Sequence, residues 1–153
     1  MGIKKHQSLL EGDVADFLDS VVTPMRLAVA DGDGYPVVCS LWFIRDGDCL
    51  WAACHRNAYL IKLLRRNIKA GFDISTNESP YRGVRGQADI ELHSDENGQA
   101  LGQLINRYLG DSNKQLKAWL LSRQEDEYAI RIVPRKISSW DFSNRMEPPE
   151  KLR

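Results

Sequence analysis

No stretch of this 153-residue sequence approaches the roughly 20 apolar residues of a membrane-spanning helix, so a helical membrane protein is not expected. Net charge is absent as well. Its 21 lysines and arginines balance 21 aspartates and glutamates, which removes the bulk attraction that duplex DNA or an anionic lipid surface would exploit. Neither nucleic acid nor membrane is therefore an expected partner. Cysteine is scarce: Cys39, Cys49 and Cys54 form no Cys-x-x-Cys pair and leave an odd thiol, which argues against a disulfide scaffold and for a reducing compartment. His6, His55 and His93 show no i, i+4 spacing, so no zinc site is expected. The first seven residues hold two lysines with no apolar run behind them, and a cytoplasmic protein is the expectation.

What is present fits one domain spanning 1–153. The chain is 42% apolar, and at this length it can bury about two-thirds of the surface its unfolded form exposes. Charge is unevenly spread. From His55 to Phe72 there is no acid, while Arg56, Lys62, Arg65, Arg66 and Lys69 supply five cations, which makes either a local anion trap or the solvated face of a helix. Pro80-Tyr81-Arg82-Gly83-Val84-Arg85-Gly86-Gln87-Ala88 then sets two arginines among glycines. Three apart, Arg82 and Arg85 face opposite sides of a regular strand, and Gly83 and Gly86 leave room for another backbone or a flat ligand. The plain alternative is an edge strand with solvated arginines and a glycine bulge.

Along the chain, Ser8 and Glu11 form a capping box, and Leu10, Val14, Phe17, Leu18 and Val21 recur at helical spacing until Thr23-Pro24, giving an N-terminal helix within 1–24. Runs 26–30, 35–44 and 48–54 are β-rich and divided by Asp31-Gly32-Asp33-Gly34 and Asp46-Gly47, which predicts a three-stranded meander. Because 37–44 is almost continuously apolar, both its faces need cover, one from a barrel interior and the other from a helix or a second subunit. An open monomeric sheet would leave Trp42 or Phe43 wet, so a homodimer is expected. Asn57 is positioned to cap a helix reaching Asn67, and strands follow over 70–76 and 83–92. Two helices come next, one on Leu101, Leu104, Ile105, Tyr108 and Leu109 ended by Gly110, the other capped by Ser112 with Gln115 and carrying Leu116, Trp119 and Leu120, both stripes reading as core. A strand closed by Pro134, a last strand over 136–142 and a polar tail over 143–153 complete the chain. The fold class is mainly β (α+β), an antiparallel sheet of six to seven strands with flanking helices, most cheaply closed as a small barrel.

The ordered series Leu27-Ala28-Val29-Ala30-Asp31-Gly32-Asp33-Gly34-Tyr35-Pro36-Val37-Val38, Leu41-Trp42-Phe43, Asp46-Gly47, Leu50-Trp51-Ala52-Ala53, Leu64-Arg65-Arg66-Asn67 and 80–86 resembles the pyridoxamine 5′-phosphate oxidase-like family of FMN-binding split barrels. The resemblance covers roughly 26–91. It implies a homodimeric split β-barrel oxidoreductase with FMN, or a deazaflavin, at the subunit interface. The ring would meet backbone at Val38, Cys39, Ser40 and Leu41 with Trp42 flanking, and the phosphate would meet cations near the 56–66 helix and the 82–85 strand. Arg56, Asn57, Lys62, Arg82 and Arg85 are the candidates, with Arg82 favoured unless a bulge at Gly83 brings both arginines together.

One departure stands against this pattern. Where the family has a lysine, preceded by serine and a variable residue, this sequence reads Ala58-Tyr59-Leu60. Losing such a charge-assisted contact weakens binding by about one to two decades, so occupied, weakly occupied and vacant sites are all open, the last meaning a non-enzymatic barrel for another anionic or aromatic small molecule. No catalytic residue is named, because flavin carries its own redox chemistry. Tyr81 and His55 are possible proton donors, and Cys54 beside the cations a possible reactive thiol, although the common roles of such residues are structural. Single-stranded nucleic acid on Trp42, Tyr59 and Tyr81 ranks last, for want of net charge.

Overall fold

The computed structural model describes residues 9–95 and 98–143. Ser8 of the expected capping box, His6 and the tail beyond 143 lie outside the described residues. Seven antiparallel strands, β1 (Met25–Ala30), β2 (Pro36–Leu41), β3 (Ile44–Asp46), β4 (Cys49–His55), β5 (Lys69–Ser75), β6 (Arg82–Ser94) and β7 (Glu127–Asp141), form one sheet in the order β2-β1-β5-β6-β7-β4-β3. Helices α1 (Gly12–Ser20), α2 (Tyr59–Leu64), α3 (Gln99–Tyr108) and α4 (Lys114–Ser122) flank it. Only Trp42 and Phe43 separate β2 from β3, yet these strands occupy opposite edges. Three Cα steps span at most about 11 Å, so the sheet must curl until its edges nearly meet. The barrel is thus joined across its split by the covalent chain, without a ladder between β2 and β3.

The inward residues alternate as a half-buried strand demands: Met25, Leu27 and Val29 on β1, Phe72 and Ile74 on β5, Ile130 and Ile132 on β7. Leu18 of α1 and Leu60, Ile61 and Leu64 of α2 join the same core. Each such side chain contributes about 1.5–3 kcal/mol on burial. The turns follow the expected chemistry. The Asp31 carboxylate accepts from Asp33 N–H (2.9 Å) and Tyr35 N–H (3.0 Å), while Gly34 and Gly47 have φ of 85° and 57°.

Several sequence expectations change. The meander over 26–54 is instead two hairpins, β1–β2 and β3–β4, at opposite edges of the sheet, because the chain crosses the split at Trp42-Phe43. Pro134 does not end a strand. Gln87 pairs with Lys136 and Ala88 with Pro134, leaving Arg135 as an extra residue, and at such a bulge the missing proline N–H is tolerated. The bulge therefore lies opposite Gln87 and Ala88 and not at Gly83. Ala58 stands at the N-cap of α2 with no side-chain cap, so Asn57 does not cap that helix; Asn113, not Ser112, caps α4 by accepting from Leu116 N–H at 3.1 Å. No residue of α4 is buried, and Trp119 lies exposed under the Arg123 guanidinium, so its stripe is not core.

Trp42 and Phe43 are covered without a second subunit. Phe43 is fully buried, and Trp42 stacks on Tyr108 of α3 with ring centroids 5.2 Å apart and 8° between planes. The Arg107 guanidinium beside it donates to the carbonyls of Phe43 (2.6 Å), Leu18 (2.8 Å) and Val21 (2.6 Å), while the Tyr108 hydroxyl donates to Thr23 carbonyl (3.1 Å) and accepts from Phe43 N–H (3.2 Å). The start of α3 is fixed by buried Asp95, whose carboxylate oxygens accept from Ala100 and Leu101 N–H at 3.0 Å each.

Candidate functional site

A groove of about 540 Å³ runs across the outer face of β2-β1-β5-β6-β7. Strand register builds it in two rows. One row reads Val38, Ala28, Gly71, Gln87 and Lys136, each opposite the next, and the other reads Ser40, Arg26, Asp73, Arg85 and Ser138. All but Ser40 line the groove. Its floor is low because Ala28 and Gly71 point outward there. A Cβ on Gly71 would meet only the Gly86 carbonyl oxygen, at 3.7 Å, so packing does not demand the glycine, and its lack of a side chain leaves open space above the sheet. Arg26, Arg85 and Lys136 bring three cations against one carboxylate, Asp73, and among the described residues no ion pair joins any of these four.

The sequence-predicted residues are divided among five places. Val38 and Arg85 line the groove, with Ser40 at its end in the second row. Cys39 and Leu41 alternate to the other side of β2 and pack against the core. Trp42 faces Tyr108. Arg56 pairs with Asp126 at 3.3 Å, Asn57 N–H donates to His55 Nδ1 at 3.1 Å, and Lys62 is exposed on α2, none of the three lining the groove. Arg82 sits over the Phe17 ring of α1, its Cζ 5.1 Å from the centroid, and lines a separate cleft of about 270 Å³ with Asp13, Trp140 and Asp141. Arg82 and Arg85 thus serve different surfaces, as their spacing in a strand requires.

The two glycines beside them, Gly83 and Gly86, have internal causes. A Cβ at Gly83 would lie 2.6 Å from the Trp140 ring, and one at Gly86 would strike the Lys136 carbonyl oxygen and the Phe72 ring (2.8 Å). Trp140 in turn carries the Arg85 guanidinium over its face at 5.3 Å, which holds that cation at the rim. His55 is engaged with Asp126 at 3.8 Å and with Asn57 N–H. Burial, with the Glu127 charge behind it, pushes the Cys54 thiol up to about 11, so it is not a reactive cysteine.

Sequence reading missed Arg26, Gly71, Asp73 and Lys136. Their outward positions on alternating strands were legible, but β1 meets β5 across more than 40 residues of chain, and only that pairing assembles the rows.

Comparison of the folded chain with solved structures identifies the architecture. It superposes on the conserved hypothetical protein Rv2991 of Mycobacterium tuberculosis with a TM-score of 0.74 and 20% identity, over 99% of this chain and 98% of the other. An F420 reductase matches with a TM-score of 0.69 and 22% identity, over 80% and 94%. A candidate pyridoxamine 5′-phosphate oxidase of Listeria innocua matches with a TM-score of 0.63 and 16% identity, over 82% and 94%. The fold is the pyridoxamine 5′-phosphate oxidase-like split barrel. No protein-family model and no curated protein matches the sequence. In this split barrel the cations of the 56–69 segment around α2 are solvent-exposed, Arg56 pairing with Asp126 and Arg65 donating to the Tyr128 hydroxyl (3.0 Å), whereas the cations that line the groove come from the sheet. Among the described residues no helix is long and apolar enough to cross a membrane.

Proposed function

We propose that the chain is a flavin-binding oxidoreductase, holding FMN or a deazaflavin in the sheet groove and working as a cytoplasmic homodimer. The observation that carries this reading is the groove itself, with three cations that among the described residues form no ion pair, around a floor of Ala28 and Gly71. A flat ring needs a smooth, shallow bed, which two residues without bulk provide. A phosphate needs cations and directed donors, and Arg85 and Lys136 on adjacent strands offer both at one end. The donor set therefore fits a phosphorylated flavin, although α2 lacks the customary lysine. When bound, the flavin supplies the redox chemistry. The protein's part is to hold the ring on the floor and anchor the phosphate, and neither task demands a nucleophile. Three free thiols support a reducing compartment. A second subunit laid over exposed Val38 and Tyr35 would cover the open side of the groove.

Titration of FMN and riboflavin by fluorescence tests the reading. FMN is expected to bind with micromolar or weaker affinity, and riboflavin about 1–3 kcal/mol less tightly. Arg85→Ala with Lys136→Ala should remove that difference, whereas Arg82→Ala, outside the groove, should keep it. Equal binding of both ligands to the wild-type protein defeats the phosphate clamp. The uncapped α2 and its Ala58-Tyr59-Leu60 start favour one other reading, a non-enzymatic barrel for a different anionic or aromatic ligand. It prevails if the purified protein neither carries nor binds flavin.

A further inference from the structure

Asp73 is out of place in a site built only to attract phosphate. It stands directly opposite Arg26 on one side and Arg85 on the other, yet no ion pair within 4.0 Å joins it to either among the described residues. Ser75 Oγ–H donates to Asp73 Oδ1 at 2.7 Å, which orients the carboxylate, and among the described residues no hydrogen bond engages Oδ2. Adjacent strands are about 4.8 Å apart, so Arg26, Asp73 and Arg85 present donor, acceptor and donor along about 10 Å of the groove. A carboxylate there repels a phosphate and accepts from a neutral N–H.

We infer that Asp73 and Arg26 read the imide edge of the bound ring, Asp73 accepting from the ring N–H and Arg26 donating to the adjoining carbonyl oxygen, with Arg85 and Lys136 left to the phosphate. The inference rests on the flavin reading above and adds a specificity element to it. An imide edge sets a carbonyl beside its N–H, the complement of the neighbouring donor and acceptor that Arg26 and Asp73 present. Asp73 on β5 and Lys136 on β7 are two strands apart, about 10 Å, a separation that a five-carbon ribityl chain can bridge. A ring with no N–H leaves the Asp73 carboxylate covered and unpaired, and an unmatched polar group discriminates more strongly than lost apolar contact.

Riboflavin and N3-methylriboflavin, neither carrying phosphate, isolate this edge. Quenching titrations of the wild-type protein should show the methylated ring binding about tenfold or more weakly, and Asp73→Ala should bind the two alike. The wild-type comparison stands even where the variant is unstable. Equal affinities in the wild-type protein, or a methyl penalty that persists in Asp73→Ala and so reflects bulk alone, overturn the inference. FMN that binds with its phosphate preference intact while N3-methylation has no effect removes this inference and leaves the flavin reading standing; absence of any flavin binding removes both.

Discussion

At the residue scale, the sequence showed which positions were special more readily than why. Gly83 and Gly86 stood out, but the space they leave is filled by the chain's own Trp140, Phe72 and Lys136 backbone and not by a ligand. Gly86→Ala forces a methyl into that filled space and is expected to cost about 1–3 kcal/mol, measured by urea denaturation. Gly71→Leu tests the opposite case, since its side chain enters the open groove: the melting temperature should stay near the wild-type value while FMN affinity falls below detection. Cysteine chemistry is legible only with burial known. With Cys54 at about 11, roughly a thousandth of it is thiolate at pH 8, so the folded protein should react with a thiol reagent at Cys54 far more slowly than the unfolded chain does. Glu127 carries a signed pH dependence. Burial raises its carboxyl above the ordinary value, with Asp95 and Asp126 adding to the rise against Arg123. A raised carboxyl favours the folded state while protonated, and that stabilisation is lost as pH climbs from the unfolded value through the folded one. Glu127→Gln should therefore melt higher than wild type at pH 8, with the gap narrowing toward pH 5.

At the element scale, local signals sufficed where the cause was local. Both Gly-containing hairpin turns and the Gly110 end of α3 were readable because φ > 0 is a property of one residue. The continuation of β7 through Pro134 was not, since it depends on a bulge defined by the register of β6. Nor was the cover of the 41–44 crossover, because Arg107 and Tyr108 take partners 64 to 89 residues away. Tyr108→Phe keeps the stack on Trp42 but strands the Phe43 N–H and the Thr23 carbonyl. The expected loss is about 1–3 kcal/mol, read as a lower urea midpoint with an unchanged slope. A change in the slope would mean that the crossover had loosened in the native state as well.

At the scale of the whole molecule, the mainly β class and an antiparallel sheet of six to seven strands were legible, while the partition of those strands and the groove were not, because both depend on closing the sheet. Closure also changes the case for a dimer. The original reason, that Trp42 and Phe43 need a second subunit, fails because α3 covers them. A different reason replaces it. β2 is an edge strand whose outward Val38 is 62% exposed at the lip of the groove, and an uncovered apolar edge invites pairing. A twofold partner on this edge would hide Val38 and roof the ligand site in one step. Sedimentation at micromolar concentration is expected to give a dimer, and Val38→Asp, which leaves the core untouched, to give a folded monomer with weakened FMN binding. If wild type and Val38→Asp sediment alike as monomers and bind FMN equally, the groove is complete within one chain and no shared site exists.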